Sequence, residues 1–320
     1  MSTYPDQTAN VDVTAAATFI PEIWSDEIRA AYEKSLVLAN FVKKMPMTGK
    51  KGDTINIPAP IRGSASSKVK QEAVTLINNT ELNVQVVIDK HYEYSRMIED
   101  IVTKQALSSL RRFYTEDAGY ALSKQVDDDL WAMGRYLGDD NGSGTDWVHS
   151  NSFYSDGASE GALTAYAVDT VTTGDDLTDL TIRAALQQLD DADVPMTDRC
   201  FAIPPSAANT IRGIDRYNSV DFVNGQGVMT GKIGELYGVN VIVTSNSPVT
   251  EAAADNTAHT GDLKAAMLFH RDAIIFAEQL GVRSQTQYKQ EYLADLFTAD
   301  TIYGTKVYRP ESALVINLPQ

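Results

Sequence analysis

The sequence predicts an α+β fold organised around one long helix. Three observations support this fold class. Apolar residues recur at near-helical spacing over residues 97–137, alternating strand patterns come before that segment, and a β/α alternation follows it. With 320 residues, the chain is long enough to bury a substantial core. We therefore expect a long helix that supports two regions of mixed structure.

The predicted spine helix over residues 97–137 contains no proline, and one face of it is apolar. That face includes Ile98, Val102, Ala106, Leu110, Tyr114, Ala118, Leu122, Val126 and Leu130. At about 1.5 Å per residue, this helix would be roughly 60 Å long. Gly119 and Gly134 mark places where it can bend. The run Asp127-Asp128-Asp129 is interpreted as a solvated face, because consecutive helical positions do not point the same way.

Composition excludes several functional classes. The net charge of −16 argues against non-specific nucleic-acid binding, which depends on clustered lysine and arginine. No apolar run approaches the ~18 residues of a membrane span, and the polar N-terminus lacks a signal-peptide pattern. The single cysteine, Cys200, lies in an apolar run typical of an inert buried thiol and fits a reducing compartment. We expect no membrane association.

Charge is distributed unevenly along the chain. Residues 43–70 are mainly basic, whereas residues 139–198 carry thirteen acidic residues against Arg183, with Arg199 directly after them. One interpretation is two solvated surfaces, which is the usual meaning of charge blocks. The other is a basic arm that docks on an acidic face of another copy. The candidate inter-subunit contacts under that hypothesis are Lys50, Lys51, Arg62, Lys68 and Lys70.

The N-terminal third is predicted to project from the core. Residues 1–18 form a polar arm, and residues 19–48 form a helical region in which Pro21 can open a helix that runs to about Lys43. Residues 49–90 form an extended β-hairpin, with one strand at residues 52–58 and an alternating strand at residues 82–88. Because an isolated hairpin is marginally stable in water, we expect this arm to lie on a neighbour.

The C-terminal half alternates helices and strands. An irregular Ser/Gly/Thr-rich region up to Gly174 precedes a helix capped by Thr178 or Asp179. Next come a buried strand at residues 199–203, a short helix capped by Ser206, and a buried strand at residues 239–243. These elements predict a compact module over residues 176–249. The last third has strands at residues 265–269, 273–277 and 313–318, and residues 282–308 mix strands with Gly304.

Candidate catalytic and metal-binding motifs are weak. The run Gly157-Ala158-Ser159-Glu160-Gly161 matches the nucleophile-elbow pattern, but we predict no buried strand before it; a serine hydrolase using Ser159 is kept as an alternative. Asp139, Asn141 and Ser143 have calcium-loop spacing, but the twelfth position is Ser150 instead of glutamate. The glycines from Gly225 to Gly231 miss the dinucleotide fingerprint by one residue. The four histidines have no metal-ligand spacing. We expect no catalytic, metal or cofactor site.

The order of these parts resembles the major capsid protein of tailed bacteriophages, the Hong Kong ninety-seven fold. An N-terminal arm and helix, a basic hairpin, a spine helix, an α+β module and returning strands follow one another, from about Phe19. Local stretches are also similar, namely Leu186-Gln187-Gln188-Leu189-Asp190 through Val194-Pro195 to Ile203-Pro204, Gly231-Lys232-Ile233-Gly234-Glu235-Leu236-Tyr237-Gly238-Val239, Phe269-His270-Arg271-Asp272-Ala273 and Tyr303-Gly304-Thr305-Lys306-Val307-Tyr308-Arg309-Pro310-Glu311.

The resemblance implies a domain plan and a function. Residues 91–175 would form the peripheral domain with the spine helix, residues 176–260 the axial domain, and residues 261–320 return strands that are mainly peripheral. The hairpin of residues 49–90 would extend over the adjacent subunit. Copies would assemble as hexamers and pentamers into an icosahedral shell, or head, around phage double-stranded DNA, with a separate scaffolding protein and a portal. The protein would be structural rather than enzymatic, located in the virion and assembled in the host cytoplasm.

An alternative with the same fold is an encapsulin-like nanocompartment, which encloses a cargo enzyme rather than DNA. The acidic composition favours DNA packaging, since a strongly basic inner wall would retain the genome. The sequence alone leaves both shells open.

Overall fold

A computed structural model describes residues 10–11, 38–47, 52–60, 65, 67–68, 70–71, 81–99, 110–138, 147–214, 234–252 and 261–320. Its strands are β1 (Asn10–Val11), β2 (Lys43–Pro46), β3 (Thr54–Pro60), β4 (Glu81–Val87), β5 (Lys90–Glu99), β6 (Ser152–Asp156), β7 (Ala162–Ala165), β8 (Arg199–Ile203), β9 (Glu235–Leu236), β10 (Val239–Val243), β11 (Val249–Glu251), β12 (Leu263–His270), β13 (Ile274–Lys289), β14 (Ala294–Val307) and β15 (Ala313–Pro319). Its α-helices are α1 (Leu110–Ala132), α2 (Asp179–Asp191) and α3 (Pro205–Gly213). None of the helices in this part of the chain combines the length and apolar character needed to cross a bilayer.

The described strands include a five-stranded sheet in the order β1-β5-β14-β13-β2. Its centre is the long antiparallel hairpin of β13 and β14, and β5 pairs with β14 along its whole length. β1 and β2 add to the two edges as short parallel strands. The sequence analysis did not recognise this hairpin, because Val282–Tyr308 lacks a continuous apolar alternation.

Helix α1 covers one face of the five-stranded sheet. Tyr114, Ala118, Leu122, Val126 and Leu130 are buried at the predicted helical spacing and join a core that includes Phe297 and Tyr303 of β14. Burying such a stripe is what holds an amphipathic helix on a sheet. The apolar face of the spine helix is therefore confirmed over the described part of α1.

The predicted start of the spine helix at Met97 is wrong. Met97, Ile98 and Glu99 belong to β5, where they pair with Leu296, Asp295 and Ala294 of β14. Ile98 fits the apolar spacing of a helix, but it also continues the alternation of Tyr92 and Tyr94 along β5, and the long-range pairing determines the structure. Residues 100–109 lie outside the described residues. At the other end, α1 stops at Ala132 and Met133–Tyr136 tightens into a 3₁₀ turn.

The other large sheet in the described chain has eight strands, in the order β7-β6-β15-β12-β8-β10-β9, with β11 paired to β12. Every residue of β8 is buried. Cys200 and Ala202 face the core under α1, whereas Phe201 and Ile203 face helices α2 and α3. Burial on both faces explains the continuous apolar runs that predicted β8 and β15.

Several boundaries differ from the sequence prediction. β6 and β7 form a hairpin in the region expected to be irregular, and they belong to the same sheet as β8. The expected divisions at residues 176 and 261 therefore do not separate sheets. Lys43–Pro46 is a strand and not the end of the predicted N-terminal helix, of which residues 12–37 lie outside the described chain.

The two helices of the C-terminal half have different starts. Thr178 caps α2, as expected, and its side-chain oxygen accepts the backbone N–H of Thr181 at 3.2 Å. α3 begins at Pro205 with Pro204 at the cap position, so the prediction that Ser206 caps it is wrong. Proline suits the first turn because its missing N–H would have had no partner there.

Candidate assembly surfaces

The predicted β-hairpin is confirmed: β3 and β4 pair antiparallel as a separate two-stranded sheet, here called the arm. Its register places Ile55 opposite Val86 and Ile57 opposite Val84, so these four apolar side chains share one face. The other face carries Asn56 and Gln85, together with Asn83, whose Nδ2 donates to Asn56 Oδ1 at 3.1 Å. The arm thus has one apolar face and one polar face.

The base of the arm is fixed to the body of the subunit. Val86 is completely buried and packs with Ile88, Ile275, Ala277 and Met47. Ile55, opposite Val86, and the next pair, Ile57 and Val84, are only half-buried. The body of the subunit therefore covers the apolar face of the arm only in part.

Gly304 of β14 permits the closest approach between body and arm. A Cβ atom at this position would lie 2.3 Å from the carbonyl oxygen of Val87, at the end of β4. Nearby, Gln279 Nε2 donates to the carbonyl oxygen of Gly52 at 2.8 Å. These contacts determine where the arm leaves the body.

An open groove of about 530 Å³ separates β2 from the start of β3. Met45, Met47 and Ile55 supply apolar lining, and Lys43 lies at one end. Lys43 pairs with Asp272 at 3.0 Å. Burial raises the pKa of Asp272, but the hydrogen bond and charge of Lys43 outweigh it, so this pKa lies below its usual value.

The basic contact residues predicted for the arm are described only in part. Lys68 and Lys70 are exposed. Lys50, Lys51 and Arg62 lie outside the described residues. The role of these five residues in contacts between copies remains a prediction.

The acidic block is not one uniform surface. Glu160, Asp169, Asp176, Asp191, Asp193 and Asp198 are exposed. Asp175, in contrast, is 4% exposed and accepts the backbone N–H groups of Gly157 at 2.8 Å and Thr172 at 2.6 Å, which fixes a loop.

Acidic side chains also gather at the C-terminal end of α2, where the helix dipole disfavours negative charge. Arg199 offsets this cost because its buried guanidinium donates to Asp190 Oδ1 and to the Val194 carbonyl oxygen, both at 2.6 Å. The exposed part of the acidic surface therefore includes the end of α2.

The aspartate run on α1 is mostly buried, so its interpretation as a solvated face is wrong. Asp129 is 9% exposed, accepts the hydroxyl of Tyr303 at 2.7 Å, and pairs with Lys90 at 3.0 Å. Asp127 accepts the backbone N–H of Leu38 at 3.3 Å, whereas Asp128 is exposed. The spacing of apolar residues along the helix does not reveal these contacts, because the partners of the two buried aspartates, Leu38, Lys90 and Tyr303, lie far from them in sequence.

A second polar cluster lies on the outer face of the five-stranded sheet. Arg283 donates to both carboxylate oxygens of Asp300, from Nε at 3.0 Å and from Nη2 at 2.7 Å, and His91 Nε2 lies 3.3 Å from Asp300 Oδ2. Burial raises the pKa of Asp300, but the hydrogen bonds from Arg283 and His91 outweigh it and hold this pKa below its usual value. The cluster ties β5, β14 and β13 together.

The geometry around Ser159 does not match a nucleophile elbow. A strand, β6, does precede it, contrary to our prediction, but the serine lies in an exposed turn that leads into β7 instead of a helix. The Ser159 hydroxyl donates to Asp156 Oδ2 at 2.8 Å. This arrangement supplies a turn, not an activated nucleophile.

The other candidate sites offer little chemistry. Cys200 is buried, and desolvation raises the pKa of its thiol to about 12, as expected for an unreactive thiol. Among the described residues, no group of three or more His, Cys, Asp and Glu side chains is placed to hold a metal ion. Asp139 and the residues from Gly225 to Gly231 lie outside the described chain.

The far end of the β13–β14 hairpin is a surface that sequence analysis missed. Tyr288, Tyr292 and Leu293 are exposed by 45%, 37% and 64%. Polar and apolar residues alternate weakly here. The signal that was available is a set of three β-prone residues on one face of the strand, Val282, Thr286 and Tyr288.

Comparisons with known proteins agree on one family. A model of the family described as phage capsid protein matches residues 18–318. No curated protein matches the sequence.

Solved structures share the fold at low sequence identity. A structure titled Mycobacterium phage Che8 has 23% identity and a TM-score of 0.68, covering 93% of this chain and 97% of that chain. The capsid structure of the cyanophage P-SCSP1u has 20% identity and a TM-score of 0.67, covering 88% and 87%. The capsid asymmetric unit of cyanophage Pam1 has 13% identity and a TM-score of 0.66, covering 100% and 99%. The similarity extends over almost the whole chain.

Proposed function

The chain belongs to the phage capsid protein family and is a major capsid protein that forms the shell; we propose that its copies assemble as hexamers and pentamers into an icosahedral head around double-stranded DNA. The observation that carries this proposal is the arm, whose apolar face the subunit itself covers only in part. Since half-covered apolar side chains gain stability from further burial, another copy is the natural partner for this face.

The mechanism is lateral association of subunits. The arm extends over the neighbouring subunit, while α1 and the five-stranded sheet form a rigid wall from which it projects. Contacts of this kind recur around the shell because every copy contributes the same arm and the same receiving surface.

Charge complementarity contributes to the contact. The basic residues Lys50, Lys51, Arg62, Lys68 and Lys70 meet the acidic block of residues 139–198 on another copy. Opposite charges across an interface increase the association rate and select the correct partner, and both effects weaken with salt.

Charge reversal tests this pairing. Lys68→Glu/Lys70→Glu should reduce shell assembly and weaken its dependence on salt, as measured by light scattering over a series of salt concentrations. Lys124→Glu/Lys306→Glu is the matched control, because it makes the same charge change at two exposed lysines outside the arm. Unchanged assembly together with unchanged salt dependence in the arm variant would contradict the pairing.

The head is proposed to hold DNA, with a separate scaffolding protein and a portal as assembly partners in the host cytoplasm. The acidic composition supports this, since the wall of the shell then has weak affinity for the genome.

An encapsulin-like shell is the second candidate, because it shares the fold. Electron microscopy of the purified particles, with nucleic-acid and protein analysis of their contents, separates the two: phage heads contain double-stranded DNA, whereas a nanocompartment contains a cargo enzyme.

A further inference from the structure

The loop between α2 and β8, residues 192–198, holds an apolar side chain out in solvent. Met196 is 72% exposed, more than any other large apolar side chain in the described part of the chain. Asp193 and Asp198, which lie on either side of it in sequence, are exposed as well. The loop therefore presents one flexible apolar side chain between two carboxylates.

Hydrogen bonds fix the backbone of this loop. Before the exposed methionine, the carbonyl oxygens of Val194 and Pro195 accept from the buried guanidinium of Arg199 at 2.6 and 2.9 Å. After it, the carbonyl oxygen of Asp198 accepts the backbone N–H of Arg271 at 3.1 Å. A loop fixed in this way loses little conformational freedom when it binds, so it is preorganised for a contact.

The groove between β2 and the start of β3 has the complementary character. Met45, Met47 and Ile55 line it, and none of its lining residues in the described chain is acidic. Lys44, which also lines the groove, is exposed, and its Nζ donates to a neutral amide oxygen, that of Asn40, at 3.1 Å. An apolar side chain flanked by carboxylates therefore matches this groove in polarity and in charge.

The loop and the groove lie close together on one subunit. Asp198, at the end of the loop, accepts the backbone N–H of Arg271. The next residue, Asp272, pairs with Lys43 at one end of the groove. In a ring of subunits, the two halves of a repeated contact lie on different sides of each subunit. Two halves that lie next to each other suit a two-fold axis instead, across which each loop meets the groove of the other copy.

We propose that two copies related by a two-fold axis make this contact reciprocally. Met196 of each copy enters the groove of the other, and Asp193 and Asp198 then lie near Lys44. This contact is separate from that of the arm, because it joins the copies in pairs through the α2–β8 loop. The inference rests on the proposed function, since it names one contact by which copies join in the shell.

Cysteine cross-linking tests the contact in assembled shells of the full chain. Met196→Cys and Pro46→Cys, on the loop and on β2, are both at exposed positions; they are combined and treated with a short bis-maleimide. Native Cys200 does not interfere, because it is buried and the pKa of its thiol is raised to about 12. We expect linked dimers in the double variant and only monomers in either single variant.

The other outcomes separate the two proposals. Intact shells without linked copies mean that a different partner, or solvent alone, covers the groove, and they overturn the loop contact while the capsid function stands. A ladder that extends beyond dimers, or a link confined to one chain, overturns the reciprocal pairing. Failure of the unaltered chain to form shells overturns the proposed function on which the inference rests.

A side-chain substitution gives a second, independent test. Met196→Ser should raise the subunit concentration needed for half-maximal assembly by about tenfold, because it removes the apolar side chain that the groove buries. Light scattering over a series of subunit concentrations measures this value. Val168→Ser is the matched control, since Val168 is also exposed, by 58%, and lies outside the loop. The same half-maximal concentration in both variants would contradict the proposal.

Discussion

Individual residues connect α1 to the sheet that it covers. Tyr94 donates its hydroxyl to Asp117 Oδ2 at 2.6 Å, and the Arg96 guanidinium lies 4.7 Å from the centre of the Tyr114 ring. Burial and the hydrogen bond to Asp117 raise the pKa of Tyr94 to about 12. Together with the Asp129 cluster, these contacts position the helix along its length.

Asp129 provides the clearest test at this scale. Asp129→Ala should lower the free energy of unfolding by about 1–3 kcal/mol, because it leaves the buried Tyr303 hydroxyl and Lys90 without their partner. Asp128→Ala, at the adjacent exposed position, should change it by less than about 0.5 kcal/mol. Chemical denaturation measures both. Equal effects of the two variants would show that the aspartate run is a solvated face after all.

The Asp300 cluster predicts a pH dependence. Because the pKa of Asp300 is lower in the folded than in the unfolded chain, its contribution is present at neutral pH and is lost as pH falls below about 4. Asp300→Asn should therefore lower the melting temperature at pH 7, and the difference from the unaltered protein should shrink under acid. Asp128→Asn controls for the loss of any surface carboxylate. A difference that stays constant or grows as the pH falls would contradict the assignment.

At the scale of elements, the junction between arm and body depends on close packing at Gly304. Gly304→Ala should destabilise the subunit by about 1–3 kcal/mol or displace the base of the arm, because its Cβ would collide with the Val87 carbonyl oxygen. Gly281→Ala in β13 is the matched control, since only the end of the Glu278 side chain would need to move. Thermal unfolding and limited proteolysis of the arm measure the effect. Similar behaviour of the two variants would mean that Gly304 does not fix the junction.

The elements also show what the sequence could predict. Strands buried on both faces, such as β8 and β15, were correctly predicted because their apolar runs are continuous and local. The arm was predicted from its alternation and its polar flanks. The start of α1, the β6–β7 hairpin and the β13–β14 hairpin were not, because these strands also pair with distant ones: β5 with β14 and β6 with β15.

The candidate site could be predicted only in outline. The sequence identified the arm as a contact surface, and its basic residues remain a prediction. How far the body covers the arm could not be predicted, because Val86 packs with Ile275 and Ala277, which are distant in sequence.

At the scale of the whole molecule, the subunit consists of a well-packed body and an arm that the body covers only in part. Residues of helix α1 and of both large sheets belong to one continuous core. The rigid body gives the arm a defined direction, and assembly into a shell completes the burial that one chain leaves unfinished.

Cryo-electron microscopy of the purified assembly tests this account most directly. We predict closed icosahedral shells in which the apolar face of each arm lies against a neighbouring subunit. A protein that stays monomeric at high concentration, with the arm folded onto its own body, would contradict the account.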